Sequence, residues 1–105
     1  MTATPPMNAR LPLIVVKRVY FDLFAAGTKT VEYRRYKKPF TEGAFYVGRW
    51  VRIAYNYNIN KYPSLIARVT GFAVAPARDH PAMFELYRDL QPDDELALVH
   101  LDVQR

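Results

Sequence analysis

An α+β domain built on a small curled or closed sheet is the fold class that this chain predicts, and three observations predict it. Short apolar runs rich in β-branched and aromatic residues recur along the chain, and only two segments carry helical spacing. Gly, Pro, Asn or Asp punctuates most breaks between them. With 105 residues, the chain is expected to form one domain that buries about two-thirds of its unfolded surface without disulfide or metal staples. Residues 1–12 carry three prolines and no charged cluster and are expected to be a disordered tail, leaving 13–105 as the domain. No internal repeat, low-complexity run or linker divides that span.

Leu13 to Lys17 hardly alternates and predicts a first strand buried on both faces. In Val19 to Ala26, Tyr20, Leu23 and Phe24 fall at i, i+3 and i+4, and Gly27 stands where a left-handed residue would end a helix. That helix is only about two turns long, so packing must hold it. Lys29 to Arg35 predicts a second strand, with Val31, Tyr33 and Arg35 on a core-facing side and Thr30, Glu32 and Arg34 opposite. Tyr36 to Gly48 is irregular, Trp50 to Tyr57 alternates as a third strand, and a polar aromatic loop runs from Tyr55 to Pro63. Ser64 to Val74 predicts a fourth strand that Pro76 ends. Asp79 is placed to cap a helix running from His80 or Pro81 to Leu90, and Glu95 to Val103 alternates as a last strand. The expected sheet thus has five to six mostly antiparallel strands and two short helices.

Composition narrows the function. The absence of cysteine excludes disulfides, thiol catalysis and Cys-based zinc sites, and it fits a cytoplasmic location. The apolar run Leu11 to Val16 is too short for a signal segment or a membrane span. His80 and His100 stand apart with no ligand partners nearby, and Asp93-Asp94-Glu95 lacks the spacing of a calcium loop, so neither metal nor cofactor is expected. Net charge is +5 but polarised: residues 1–72 hold twelve Lys/Arg against three acids, whereas 73–105 hold three against seven. The basic residues concentrate between Lys17 and Lys38, a pattern that attracts polyanions, with nucleic acid the leading partner.

The most informative stretch is Gly27-Thr28-Lys29-Thr30-Val31-Glu32-Tyr33-Arg34, which crowds a lysine, a glutamate and an arginine where a turn opens into a strand. Glu32 and Arg34 share a strand face, where the simplest arrangement is an ion pair. Strict alternation puts Lys29 on the other face from Glu32, so the two converge only if Lys29 belongs to the turn or the strand kinks near Thr30. Downstream, Tyr33, Tyr36 and Phe40 interleave with Arg34, Arg35, Lys37 and Lys38, and the loop from Tyr55 through Asn56 and Tyr57 to Tyr62 mixes tyrosine with asparagine. Aromatic faces stack unpaired bases, amides read base edges and cations hold phosphates, so both stretches suit single-stranded RNA or a flipped base. Tyr33 and the nearby Phe45 are expected to fill the core, whereas Tyr36, Tyr55 and Tyr57 suit the core and a ligand about equally.

A strand, then Tyr20-Phe21-Asp22-Leu23-Phe24, the Gly-x-Lys-x-x-Glu-x-Arg turn, a basic aromatic stretch and the Trp50-Val51-Arg52-Ile53 strand together resemble the ASCH domain, a branch of the PUA-like β-barrel superfamily. The resemblance covers about residues 13–75. It implies a small β-barrel with a cleft beside the Gly-x-Lys turn, binding RNA or a modified nucleobase or nucleoside. The ligand-binding residues would be Lys29, Glu32, Arg34, Arg35, Tyr36, Lys37, Lys38, Tyr55, Asn56 and Tyr57.

Within that family, small amidohydrolases that deacetylate N4-acetylcytidine are similar in size and share the Gly-x-Lys-Thr turn. Their pattern has lysine as base and a threonine nucleophile three residues later, where this chain has Glu32. A hydrolase reading therefore makes Glu32 a general base for water and Lys29 the stabiliser of a developing oxyanion. Ribonuclease chemistry would use the same groups with Arg34. A further alternative is a small regulatory protein whose basic face binds an acidic protein partner.

Overall fold

Two edge strands with the same job, to end a sheet, set the geometry of the molecule. The computed structural model describes residues 10–104, so residues 1–9 of the expected tail lie outside the described residues. In chain order the elements are β1 (Leu13–Val15), α1 (Arg18–Ala26), β2 (Val31–Arg35), β3 (Trp50–Ala54), β4 (Ser64–Pro76), a 3-10 turn (Ala77–Asp79), α2 (Met83–Leu86) and β5 (Glu95–Val103). They form a five-stranded mixed sheet in the order β1-β3-β4-β5-β2. β1 lies parallel to β3, and the other neighbours are antiparallel. The α+β class and the two short helices agree with the sequence; the sheet keeps two ends, β1 and β2, with no backbone ladder between them among the described residues.

Local chemistry accounts for most element boundaries. Gly27 takes φ 82°, and its N–H reaches Phe24 O while that of Thr28 reaches Leu23 O at 3.0 Å, a closure that satisfies the last carbonyls of α1. β3 stops at Ala54, shorter than the expected Trp50 to Tyr57, because the Asn56 side-chain oxygen accepts from the Asn58 N–H at 2.9 Å and folds the chain into a turn. β4 runs on to Pro76 and shifts register between Val69 and Gly71. Its first half pairs with β3 and its whole length from Ala67 onward pairs with β5.

The second helix departs most from expectation. Asp79 ends a 3-10 turn instead of capping a helix, and α2 is a single turn, Met83–Leu86. Tyr87 adopts an extended conformation that breaks the helix, after which Leu90 turns back so that it and Met83 are both buried. Tertiary burial has overridden a helical pattern too short to persist alone.

Two apolar clusters fill the interior. The larger packs Phe21 and Phe24 of α1 with Ile14, Val51, Ile53, Val69, Val99 and Leu101 from the sheet. A smaller one joins Ala77, Met83, Leu90 and Leu96, with Tyr33 packed on it. Phe45 is buried in the larger cluster and stacks on Phe40 at 5.1 Å, as expected of a core ring. On β2 the expected facing is reversed in part: Val31 and Tyr33 are half-buried, and the buried side chain is Glu32, 6% exposed.

Candidate functional site

Glu32 is the one buried charged residue among the described residues, and its surroundings explain how the fold tolerates it. Removing a carboxylate from water costs several kcal/mol unless it is paired and hydrogen-bonded, by rough estimate. Arg34, two residues along the same strand face, brings Nε to 2.9 Å and Nη2 to 2.8 Å from Glu32 Oε2. The same Nη2 donates to the Val15 carbonyl at 2.5 Å. Because Val15 is in β1 and Arg34 in β2, one guanidinium links the two ends of the sheet. Phe40 covers the other side of that guanidinium, 4.8 Å from its ring centre.

Lys29 completes the cluster. It lies in the turn before β2, which begins at Val31, so alternation does not bind it and its ammonium swings to 3.8 Å from Glu32 Oε1. Nζ also donates to the Val31 carbonyl at 2.5 Å. Three rings surround it: Phe24 and Tyr33 at 5.2 Å and Tyr20 at 5.6 Å, distances at which ring quadrupoles attract a cation. Burial pushes the Lys29 pKa below its ordinary value; Glu32 opposes that shift and Arg34 adds to it.

The cluster borders open space. A concavity of about 220 Å³ is lined by Glu32, Arg34, Lys17, Tyr20, Tyr33 and Tyr87. A shallower one of about 400 Å³ adjoins it across Tyr20 and Tyr33 and exposes Lys29. A third, about 210 Å³, adjoins it across Arg34 and Tyr87 and is lined by Arg35, Lys37, Lys38 and Phe40. The three follow one another along the unpaired edge of β2. Neither a protein-family model, nor a curated protein, nor a solved structure matches the chain.

The remaining predicted residues divide. Arg35 stacks on Tyr87 at 4.7 Å and pairs with the exposed Asp89. Tyr36 Oη lies 2.8 and 2.7 Å from the two oxygens of Glu42, a bond that raises the tyrosine pKa and lowers that of the carboxylate. Tyr55 packs against the larger core cluster, with Phe21 at 4.9 Å edge-on and Arg18 over its face at 4.6 Å. Asn56 spends its oxygen on the loop turn, and Tyr57 is 80% exposed. None of these three lines the concavities along β2.

Sequence reasoning did not assign a site role to Lys17, Tyr20, Tyr87 or Asp89. Tyr20 looked like one more apolar position of a helix, and Tyr87 reaches the site only because α2 unwinds before it. Among the described residues no group of side chains could hold a metal, and no helix is long and apolar enough to cross a membrane.

The arrangement offers a hydrogen-bond acceptor, a guanidinium and an ammonium at the edge of a small cavity walled by tyrosines. A flat ring with polar edges fits such a site: it can stack on the rings while its rim meets the charged groups.

Proposed function

We propose that this chain is an ASCH-like domain of the PUA-like barrel type. Its ligand is a modified nucleobase or nucleoside, alone or within RNA, bound in the cleft between β2, β1 and α1. The observation that carries this reading is the buried Glu32, held by Arg34 and Lys29 at the edge of a cavity instead of being sealed under apolar side chains. Glu32 would accept from an exocyclic amine, and Arg34 would donate to a ring or carbonyl oxygen. Tyr20, Tyr33 and Tyr87 supply stacking faces, and Arg35, Lys37 and Lys38 supply positive charge beside them. Glu32 Oε2 already takes two contacts from Arg34, an arrangement suited to fixing a recognition group.

Equilibrium dialysis against modified nucleosides and short single-stranded RNAs, read by mass spectrometry, tests this. Retention of a base-modified nucleoside by the wild type, lost in Lys29→Met and Glu32→Gln, is the expected result. Equal retention by wild type and both variants would sink the proposed cleft.

A hydrolytic reading draws on a second observation, the 3.8 Å approach of Lys29 to Glu32 Oε1 beside the same cavity. With Glu32 as base for water and Lys29 beside the developing oxyanion, an acylated nucleoside such as N4-acetylcytidine would lose its acyl group. The same dialysis reports it: the deacylated nucleoside plus carboxylate in the wild-type chamber, absent with Glu32→Gln, would replace binding by catalysis.

A further inference from the structure

The cavity beside Glu32 holds about 220 Å³ and its neighbour beside Lys37 about 210 Å³, each below the roughly 300–1,000 Å³ of sites that enclose a whole small ligand. A ligand larger than a ring must extend into a neighbouring concavity, and the one across the Arg34–Tyr87 boundary is the one that gathers Arg35, Lys37 and Lys38. That cleft is lined by Arg34, Arg35, Lys37 and Lys38 with no carboxylate among its walls. The Arg34 guanidinium is committed to Glu32 and Val15, and the side chains of Lys37 and Lys38 have no ion-pair partner among the described residues.

Arg35 is held from two sides, and the two differ. Tyr87 stacks beneath the guanidinium, whereas its anionic partner, Asp89, is 84% exposed on the loop after α2. An ion pair with one arm in water is weak and exchangeable. A phosphate monoester carries nearly two negative charges and three strong acceptor oxygens. It can engage Arg35 together with Lys37 and Lys38 while Tyr87 keeps the guanidinium in place. We propose that the Arg35–Lys37–Lys38 cleft is a phosphate subsite adjoining the ring pocket, and that Asp89 is its resident counter-anion, displaced from Arg35 when a phosphate monoester binds. This rests on the nucleobase reading for the neighbouring pocket: the full ligand is a nucleotide or a strand terminus, not a free nucleoside.

Calorimetric titration of the full chain with cytidine, cytidine 5′-monophosphate and inorganic phosphate at low salt is the test. The monophosphate should bind about tenfold more tightly than cytidine. Lys37→Ala/Lys38→Ala should erase that gain, while Arg10→Ala/Lys61→Ala, an equal charge change at exposed positions outside the cleft, should keep it. Asp89→Asn should tighten monophosphate and inorganic phosphate several-fold and leave cytidine unchanged. Monophosphate binding no tighter than cytidine, or a gain that survives loss of both lysines, overturns the subsite. Should neither cytidine nor its monophosphate bind, the unmodified base does not enter the ring pocket, and inorganic phosphate decides the subsite alone. Amide shifts at Arg35, Lys37 and Lys38 with phosphate would keep it, and their absence would reject it.

Discussion

The β2 edge and the Tyr55–Tyr62 loop have similar compositions and different fates. Both interleave aromatic rings with polar or basic side chains, and both fit single-stranded nucleic acid by type alone. Along β2 the charged groups are fixed by distant partners around open space: Arg34 by Val15 of the opposite edge strand, Lys29 by Tyr20 and Phe24 of α1, Arg35 by Tyr87. In the loop, Tyr55 faces the core, Asn56 closes its own turn, and Tyr57 stands alone in solvent. A binding site needs side chains held in place beside a cavity, and composition reports neither.

The largest effect should come from Arg34→Met. It leaves the buried Glu32 carboxylate with Lys29 alone, at 3.8 Å, and cuts the only side-chain hydrogen bond between β1 and β2 that the described residues show, so urea unfolding should report a loss of about 3 kcal/mol. A loss below about 1 kcal/mol would mean that the link is incidental and the β2 edge no more ordered than the loop.

Lys29→Met separates stability from recognition. Methionine keeps the ring contacts, and Glu32 keeps Arg34, so stability at pH 7 should equal or exceed that of the wild type while nucleoside retention is lost. The pH dependence has a definite sign. Burial lowers the Lys29 pKa in the folded chain below its ordinary 10.5, so between those two values the unfolded chain binds more protons. The cost of the buried ammonium is fully present below that window and is relieved as pH rises through it. Urea midpoints measured toward pH 10.5 should therefore show any advantage of Lys29→Met shrinking. A parallel pH dependence in both chains would contradict it.

Smallest is Tyr57→Ala, which removes an exposed ring without contacts to the site and should change stability by less than about 0.5 kcal/mol. Nucleoside retention should be unaltered as well. A marked loss of retention would transfer the site from the strand edge to the loop.

Much of the fold was legible because it is local. The alternation of Glu95 to Val103 marked β5 along its full length, and the spacing of Tyr20, Leu23 and Phe24 before Gly27 marked α1 and its end. The site was legible in part: Lys29, Glu32 and Arg34 do meet, because Lys29 falls in the turn. Strand order is set by pairings between remote segments, so nothing in the sequence placed β1 and β2 at opposite ends of one sheet or aimed Arg34 at a carbonyl nineteen residues earlier. The early stop of α2, after which Tyr87 lines the cleft and Asp89 pairs with Arg35, accompanies the burial of Leu90 and likewise has no local signature.

The most direct measurement is a two-dimensional amide NMR titration of the wild type with a short mixed-sequence single-stranded RNA at low salt. Shifts confined to residues 15–20, 28–40 and 84–90, with 55–62 unmoved, are the expected result. Shifts centred on 55–62, with the β2 edge unmoved, would contradict the assignment of the site to that edge.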